Sequence, residues 1–321
     1  MNLYCKCLLI GCGNIGFRYL EGLNKINKRI DIYVVDKSKD AISNANILLN
    51  KCEFNPLISI KYFNDISNLQ GEFDIAIIAT TAQARVKIIK EILNNFEVKS
   101  WIIEKVLAQT EKDLLKIKQV FLKNENVWVN HPRRLMDFHK IIKKRICDKN
   151  YPSIDVYVSG SEWGLACNAI HFIDLVSWWT KEHIIDFDES KLINWVKSKR
   201  KGFEEVYGDL SFSFENGSNL YLKCNMGVNV FHKVEIHTRD GLWQIDELGG
   251  KLVLPNKDIV SGELDYLSSI VPCMISQIIE ENKCELTNLD ESVDCHIKLI
   301  NALTKHRKYN IQEEFINLPI T

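Results

Sequence analysis

Four clusters of residues in this 321-residue chain have types and spacings that can do chemistry. Gly11, Gly13 and Gly16 form G-x-G-x-x-G between the apolar run Cys7–Ile10 and a stretch of helical periodicity. Gly11 permits a tight turn, Gly13 lets main chain approach a pyrophosphate, and Gly16 lets a helix pack close against the strand. Asn14 and Ile15 would then open that helix, where free N–H groups and the helix dipole favour a phosphate. Asp36, twenty residues beyond Gly16, ends the second apolar run. An acid there accepts from the adenosine ribose hydroxyls and repels a 2′-phosphate, which favours NAD, while the neighbouring Lys37 leaves NADP open. Thr80, at the end of the fourth apolar run, offers a hydroxyl near the expected nicotinamide ribose. Thr81 next to it reads as a helix N-cap.

The second cluster can move a proton. Ile103-Glu104-Lys105 places a lysine just past a buried run. Partial burial lowers a lysine's pKa, so Lys105 could hydrogen-bond a reacting oxygen and pass its proton while hydride moves. An exposed lysine at a strand end is the competing reading. In the third cluster, the apolar stretch Trp163–Leu175 carries Asn168, His171 and Asp174 along one stripe at 3.6 residues per turn, with Ala169, Ile173 and Val176 opposite. A polar stripe on so apolar a helix must meet polar partners or a cavity. Further on from the sixth apolar run, Arg133 and Arg134 could recognise carboxylate or phosphate through a planar fork, or pair with the protein's own acids.

The elements that must hold these residues follow from pattern. From Cys5 to Asn130, short apolar runs alternate with helical stretches. The strands are expected at Cys7–Ile10, Ile30–Val35, Ser59–Phe63, Asp74–Ala79, Trp101–Ile103 and Val127–Val129, with helices between. That is the signature of βαβ units and a parallel sheet covered on both faces. Beyond it the texture becomes a helix and then alternating strands with hairpin signals at Asn216-Gly217 and Asp240-Gly241. Helices expected over Gly262–Glu281 and Asp290–Lys305 close an α+β domain.

Lys plus Arg (41) nearly cancels Asp plus Glu (42), which argues against a nucleic-acid or anionic-membrane partner. No apolar run reaches the roughly 20 residues of a membrane helix, and a cytoplasmic protein is expected. The ten cysteines include no C-x-x-C pair and read as reduced thiols, and no ligand set around His171 suggests a metal.

Gly11-x-Gly13-x-x-Gly16, Glu104-Lys105 after the fifth strand and Gly164…His171-x-x-Asp174-Leu175 together resemble the glucose-fructose oxidoreductase, inositol dehydrogenase and MocA (Gfo/Idh/MocA) family, across both domains and in the same order. The resemblance implies an α/β protein with a Rossmann doubly wound parallel sheet over residues 1–126. A substrate-binding and dimerisation α+β domain with a large, mostly antiparallel sheet follows over 127–321. It further implies an NAD(P)-dependent oxidoreductase interconverting a secondary alcohol and a ketone on a sugar, cyclitol or nucleotide-linked sugar, and a homodimer or higher homo-oligomer.

By position, Glu104 and Lys105 match the start of the family's Glu-Lys-Pro motif and His171 the histidine of its Asp-x-x-x-His motif. Lys105 and His171 are then the catalytic pair, with Asn168 and Arg133 beside the substrate. Two positions depart from the pattern: Val106 replaces the proline, and Cys167 replaces the aspartate, so that carboxylate cannot assist proton transfer. His171 alone with Lys105, Asn168 orienting the substrate, or Glu162 reaching in are three ways to compensate. The loss also keeps open a non-catalytic dinucleotide sensor, and a lyase or glycosidase that uses NAD transiently is a further alternative.

Overall fold

A computed structural model describes residues 4–247, 249–261, 266–311 and 317–321. In chain order the elements are β1 (Cys5–Ile10), α1 (Asn14–Leu23), β2 (Ile30–Val35), α2 (Lys39–Leu49), β3 (Ile58–Phe63), β4 (Phe73–Ile78), α3 (Ala82–Asn95), β5 (Val98–Ile103), α4 (Glu111–Val120) and β6 (Val127–Val129). There follow α5 (Asp137–Lys149), β7 (Asp155–Ser161), α6 (Leu165–Thr180), β8 (Ile184–Asp188), β9 (Leu192–Lys197), β10 (Glu204–Phe214), β11 (Asn219–Asn225) and β12 (Phe231–Thr238). The last are β13 (Gly241–Asp246), β14 (Lys251–Val253), β15 (Ile259–Ser261), α7 (Leu267–Glu281), β16 (Thr287–Asn288) and α8 (Leu289–Ile311). They form two compact units: Met1–Ala108 with Leu115–Pro132 and Asp265–Asp290, and Gln109–Leu114 with Arg133–Leu264 and Glu291–Thr321.

The first unit holds a seven-stranded sheet in the order β16-β6-β5-β4-β1-β2-β3, parallel throughout except for β16 at its edge. Its central strands are nearly continuous Ile, Val and Leu because both faces are covered. Leu8, Leu9, Ile32, Val34, Ile77 and Ile78 are all fully buried, each contributing roughly 1.5–3 kcal/mol. β1 pairs with both β2 and β4, so the strand order reverses there, and in open sheets ligands bind beyond the carboxyl ends at such a reversal. The helix expected from Gly262 is seen as α7; residues 262–265 lie outside the described residues. α7 packs along α1 of the first unit, where a Cβ on Gly22 would lie 2.5 Å from Val271. This corrects the sequence expectation that it closes the second domain.

The second unit holds a nine-stranded sheet, mostly antiparallel, with one parallel pair between β7 and β11. Burial alternates along β10 from Glu205 onward and throughout β11. One face of the sheet therefore carries Leu210, Phe212, Leu220 and Leu222 into the core, beneath α6. Asn216-Gly217 and Asp240-Gly241 form the turns between β10 and β11 and between β12 and β13, with Gly217 and Gly241 at positive φ.

Candidate functional site

The carboxyl edge of the parallel sheet is assembled from strand exits tied together by main-chain hydrogen bonds. Gly11 N–H donates to the Val35 carbonyl at 2.8 Å, Ala79 N–H to Ile10 at 2.8 Å, Glu104 N–H to Ile78 at 3.0 Å and Asn130 N–H to Ile103 at 2.9 Å. Gly11 has φ +91°, and a Cβ on it would lie 3.0 Å from the Ala79 carbonyl group. A Cβ on Gly16 would lie 1.9 Å from the Gly11 carbonyl oxygen, so the helix can enter at this angle only with glycine there. Gly13 differs: nothing in the chain lies within 4 Å of where its Cβ would be. It is the N-cap of α1 and makes no side-chain cap, and the first turn, with Asn14 and Ile15, carries no acid.

Asp36, half-buried, accepts from Cys12 N–H at 2.8 Å through Oδ2 and from Ser38 N–H at 2.9 Å through Oδ1. It is thus fastened to the glycine turn rather than capping α2, whose cap is Ser38. Burial and the Asp36 charge push the Cys12 thiol up to about 12, so it stays protonated near neutral pH. The Thr80 hydroxyl oxygen is buried with no hydrogen-bond partner among the described residues. Open space at Gly13, an α1 N-terminus uncapped by any side chain, an orphan hydroxyl and a fixed acid together fit a dinucleotide.

Glu104 lies in a buried network: its Oε1 accepts from the Tyr19 hydroxyl at 2.7 Å and from Asn130 Nδ2 at 2.5 Å. Lys105 follows it, half-buried, and the Lys105–Val106 peptide bond is cis.

In the second unit, α6 carries His171, which is 7% exposed, and the half-buried Cys167 one turn before it. Asn168 and Asp174 of the polar stripe are held by protein groups. Asn168 Nδ2 donates to the Trp163 carbonyl at 2.6 Å, and Asp174 accepts both arms of Arg134 at 2.9 and 2.7 Å. Arg134 also pairs with Glu291 at 3.1 Å. Arg133 is held by a carboxylate of the protein itself, since Nε and Nη2 donate to Glu247 at 2.7 and 2.8 Å while the guanidinium stacks 4.8 Å from the Phe172 ring. Glu247 also accepts from His232 at 2.8 Å and contacts His139 at 3.3 Å. Glu162, which could have stood in for the missing aspartate, accepts from the Tyr207 hydroxyl at 2.9 and 3.0 Å and from Gly227 N–H at 3.0 Å. Sequence reasoning did not find Glu247, His139 or His232.

No protein-family model matches this chain, and no curated protein matches its sequence. Solved structures do match over nearly its whole length. Scyllo-inositol dehydrogenase from Lactobacillus casei, with bound NAD(H) and scyllo-inositol, aligns with TM-score 0.66 at 15% identity over 96% of this chain and 98% of that one. Myo-inositol dehydrogenase from the same organism, in complex with NAD(H) and myo-inositol, aligns with TM-score 0.67 at 15% identity over 97% and 96%. The WlbA dehydrogenase from Bordetella pertussis, in complex with NADH and UDP-GlcNAcA, aligns with TM-score 0.74 at 15% identity over 97% of each chain. The chain has the fold of these dehydrogenases.

Proposed function

We propose that this chain, built on the fold of the inositol dehydrogenases, is an NAD-dependent oxidoreductase that interconverts a secondary alcohol and a ketone on a sugar-, cyclitol- or nucleotide-sugar-like molecule. The observation that carries the reading is the glycine turn. The α1 N-terminus opens without a side-chain cap beside the open Gly13, with Asp36 tied to the Cys12 N–H. When bound, nicotinamide accepts or supplies the hydride.

The chain's own residues do the rest. The α1 N-terminus faces phosphate charge with unpaired N–H groups. Each Asp36 oxygen accepts one main-chain N–H and keeps a second lone pair for a ribose hydroxyl, and its charge disfavours a 2′-phosphate. Lys105 Nζ is proposed to hold and pass the proton of the reacting oxygen, with the ring of His171 as the second proton-handling group. By microscopic reversibility the same groups serve both directions.

Cys167 in place of a carboxylate, with Glu162 engaged by Tyr207 and Gly227, favours one second reading: a dinucleotide-binding protein without turnover. Titration with NADH and NADPH, for wild type and Asp36→Ala, comes first. NADH should bind more tightly than NADPH, and Asp36→Ala should weaken NADH by about tenfold or more, the scale of a lost hydrogen bond to a charged group. Screening polyols and sugars at the nicotinamide absorbance then separates the readings. Turnover abolished by Lys105→Met supports the enzyme, and NADH binding without turnover supports the second reading. Absence of NADH binding by the wild type overturns both.

A further inference from the structure

We propose, resting on the dinucleotide reading above, that Arg85 is a positioning residue whose guanidinium fixes the two strand exits flanking Lys105. Arg85 lies on α3 and is 1% exposed. Its Nη1 donates to the Val106 carbonyl and its Nη2 to the Thr80 carbonyl. Thr80 stands two residues past β4, and Val106 directly follows Lys105 past β5. One planar side chain therefore ties together two segments that share no main-chain hydrogen bond at these residues.

The main chain on the other side of Lys105 is fixed by the Glu104 N–H on the Ile78 carbonyl at 3.0 Å. Lys105, a half-buried residue, thus extends from a backbone held on both sides, and its amine inherits that placement.

The arrangement is costly, which argues that it is specific. A buried guanidinium loses its hydration, and Arg85 Nε has no partner among the described residues. Burial lowers its pKa to about 10, opposed by the nearby Glu104 charge. That carboxylate is in turn oriented by Tyr19 and Asn130. An apolar side chain would fill the space on α3 between Ala82 and Ile89 without that cost. Lysine, a point charge, does not present two coplanar donors to two separate carbonyls. The positioning is therefore assigned to the fork rather than to the charge alone.

The test compares wild type, Arg85→Lys, Arg85→Met and the exposed same-helix control Lys90→Met. The pH profile of amine labelling at Lys105 is followed by peptide mass spectrometry, alongside thermal unfolding and NADH titration. At temperatures where the variants are folded, both Arg85 variants should label Lys105 about tenfold faster than wild type, with a displaced pH profile. Their NADH dissociation constant should rise by a similar factor. Lys90→Met should match wild type. Arg85→Lys keeps the charge, so its failure to restore the wild-type profile identifies the fork. Labelling profiles of the folded Arg85 variants that superimpose on wild type overturn the proposal; should Arg85→Met not fold, Arg85→Lys decides. Labelling at Lys105 needs no cofactor, so it still decides for Arg85 if the wild type fails to bind NADH, a result that overturns the dinucleotide reading alone.

Discussion

Glu247 gathers Arg133, His139 and His232 around one carboxylate that is 4% exposed. Burial by itself would raise its pKa, but the Arg133 charge and the hydrogen bonds from Arg133, His139 and His232 hold it well below 4.5. His139 is held below 6.5 by burial, partly offset by Glu247. Both folded-state values lie below the unfolded ones, so each group's contribution is complete above its unfolded pKa and is lost as pH falls through its folded pKa. Acid should therefore weaken the second unit in two stages, His139 first, below about 6.5, and Glu247 later, below about 4.5. Urea unfolding midpoints across this range measure it. Glu247→Gln should cost about 2 kcal/mol at neutral pH by taking the counter-charge and a charge-assisted hydrogen bond from the half-buried Arg133. It should also remove the lower stage, and an acid limb identical to wild type would contradict the assignment. The sequence made Arg133 and Arg134 visible as forks seeking an anion, but not which anions. Glu247 is 114 residues from Arg133 and 108 from His139, a pairing that only the folded sheet and α5 create. The sequence reading missed Arg85, although a signal for its burial is there: it interrupts the apolar spacing Ala82, Ile89, Ile92 on one face of α3, and a charge on such a stripe must have buried partners.

At the scale of elements, the glycine turn separates what the fold needs from what a ligand needs. Gly16 is required by packing, because a Cβ there meets the Gly11 carbonyl oxygen at 1.9 Å. Gly13 has φ −65° and open space around its Cβ position, so alanine is tolerated by the chain itself. Gly13→Ala should leave the melting temperature within about 2 °C of wild type, since it breaks no packing contact. If the space serves a pyrophosphate, NADH affinity should fall by about tenfold or more. A variant equally stable and equally able to bind NADH would show that main chain at Gly13 is not approached by the ligand. The central strands were legible because burial on both faces makes them continuous apolar runs, and β1, β2, β4 and β5 fall within a few residues of where the pattern puts them. α7 was assigned to the wrong unit because its apolar stripe records only that it packs, not on which partner. The parallel β7–β11 pair and the short β14, β15 and β16 carry no pattern of their own, because pairing direction and edge position are set by tertiary context.

On the scale of the whole molecule, the nine-stranded sheet has one face in the core and one open. The open face carries Tyr157 and Tyr221, each 37% exposed and stacked at 4.7 Å between ring centroids, with His237 edge-on to Tyr157 at 5.0 Å. Around them Lys223 faces Asp209 at 3.8 Å and Lys233 faces Glu235 at 3.2 Å. Aromatics at the centre and mixed charges around them suit a self-complementary surface, in which the same patch meets itself across a two-fold axis. Nine strands about 4.8 Å apart and roughly 20 Å long present a face of about 800 Å², close to what one partner contributes to a stable interface. A homodimer through this face is therefore proposed. It predicts that Tyr157→Glu with Tyr221→Glu, which place like charges opposite each other across the axis, shift the protein to monomer in sedimentation velocity at micromolar concentration. Folding should weaken by only about 1–2 kcal/mol, the scale of a lost cross-strand aromatic pair and of two like charges facing each other on β7 and β11, because both side chains stand on the open face. NADH titration of the monomer then shows whether the dinucleotide site, built entirely from the first unit, works without the partner. Its residues are supplied by the exits of β1, β2 and β4 and by α1 of the same chain, so affinity should stay within about threefold of wild type. A double variant that remains dimeric would place the contact elsewhere on the molecule, and a wild type that sediments as a monomer would leave the open aromatic face without a second copy of the chain to cover it.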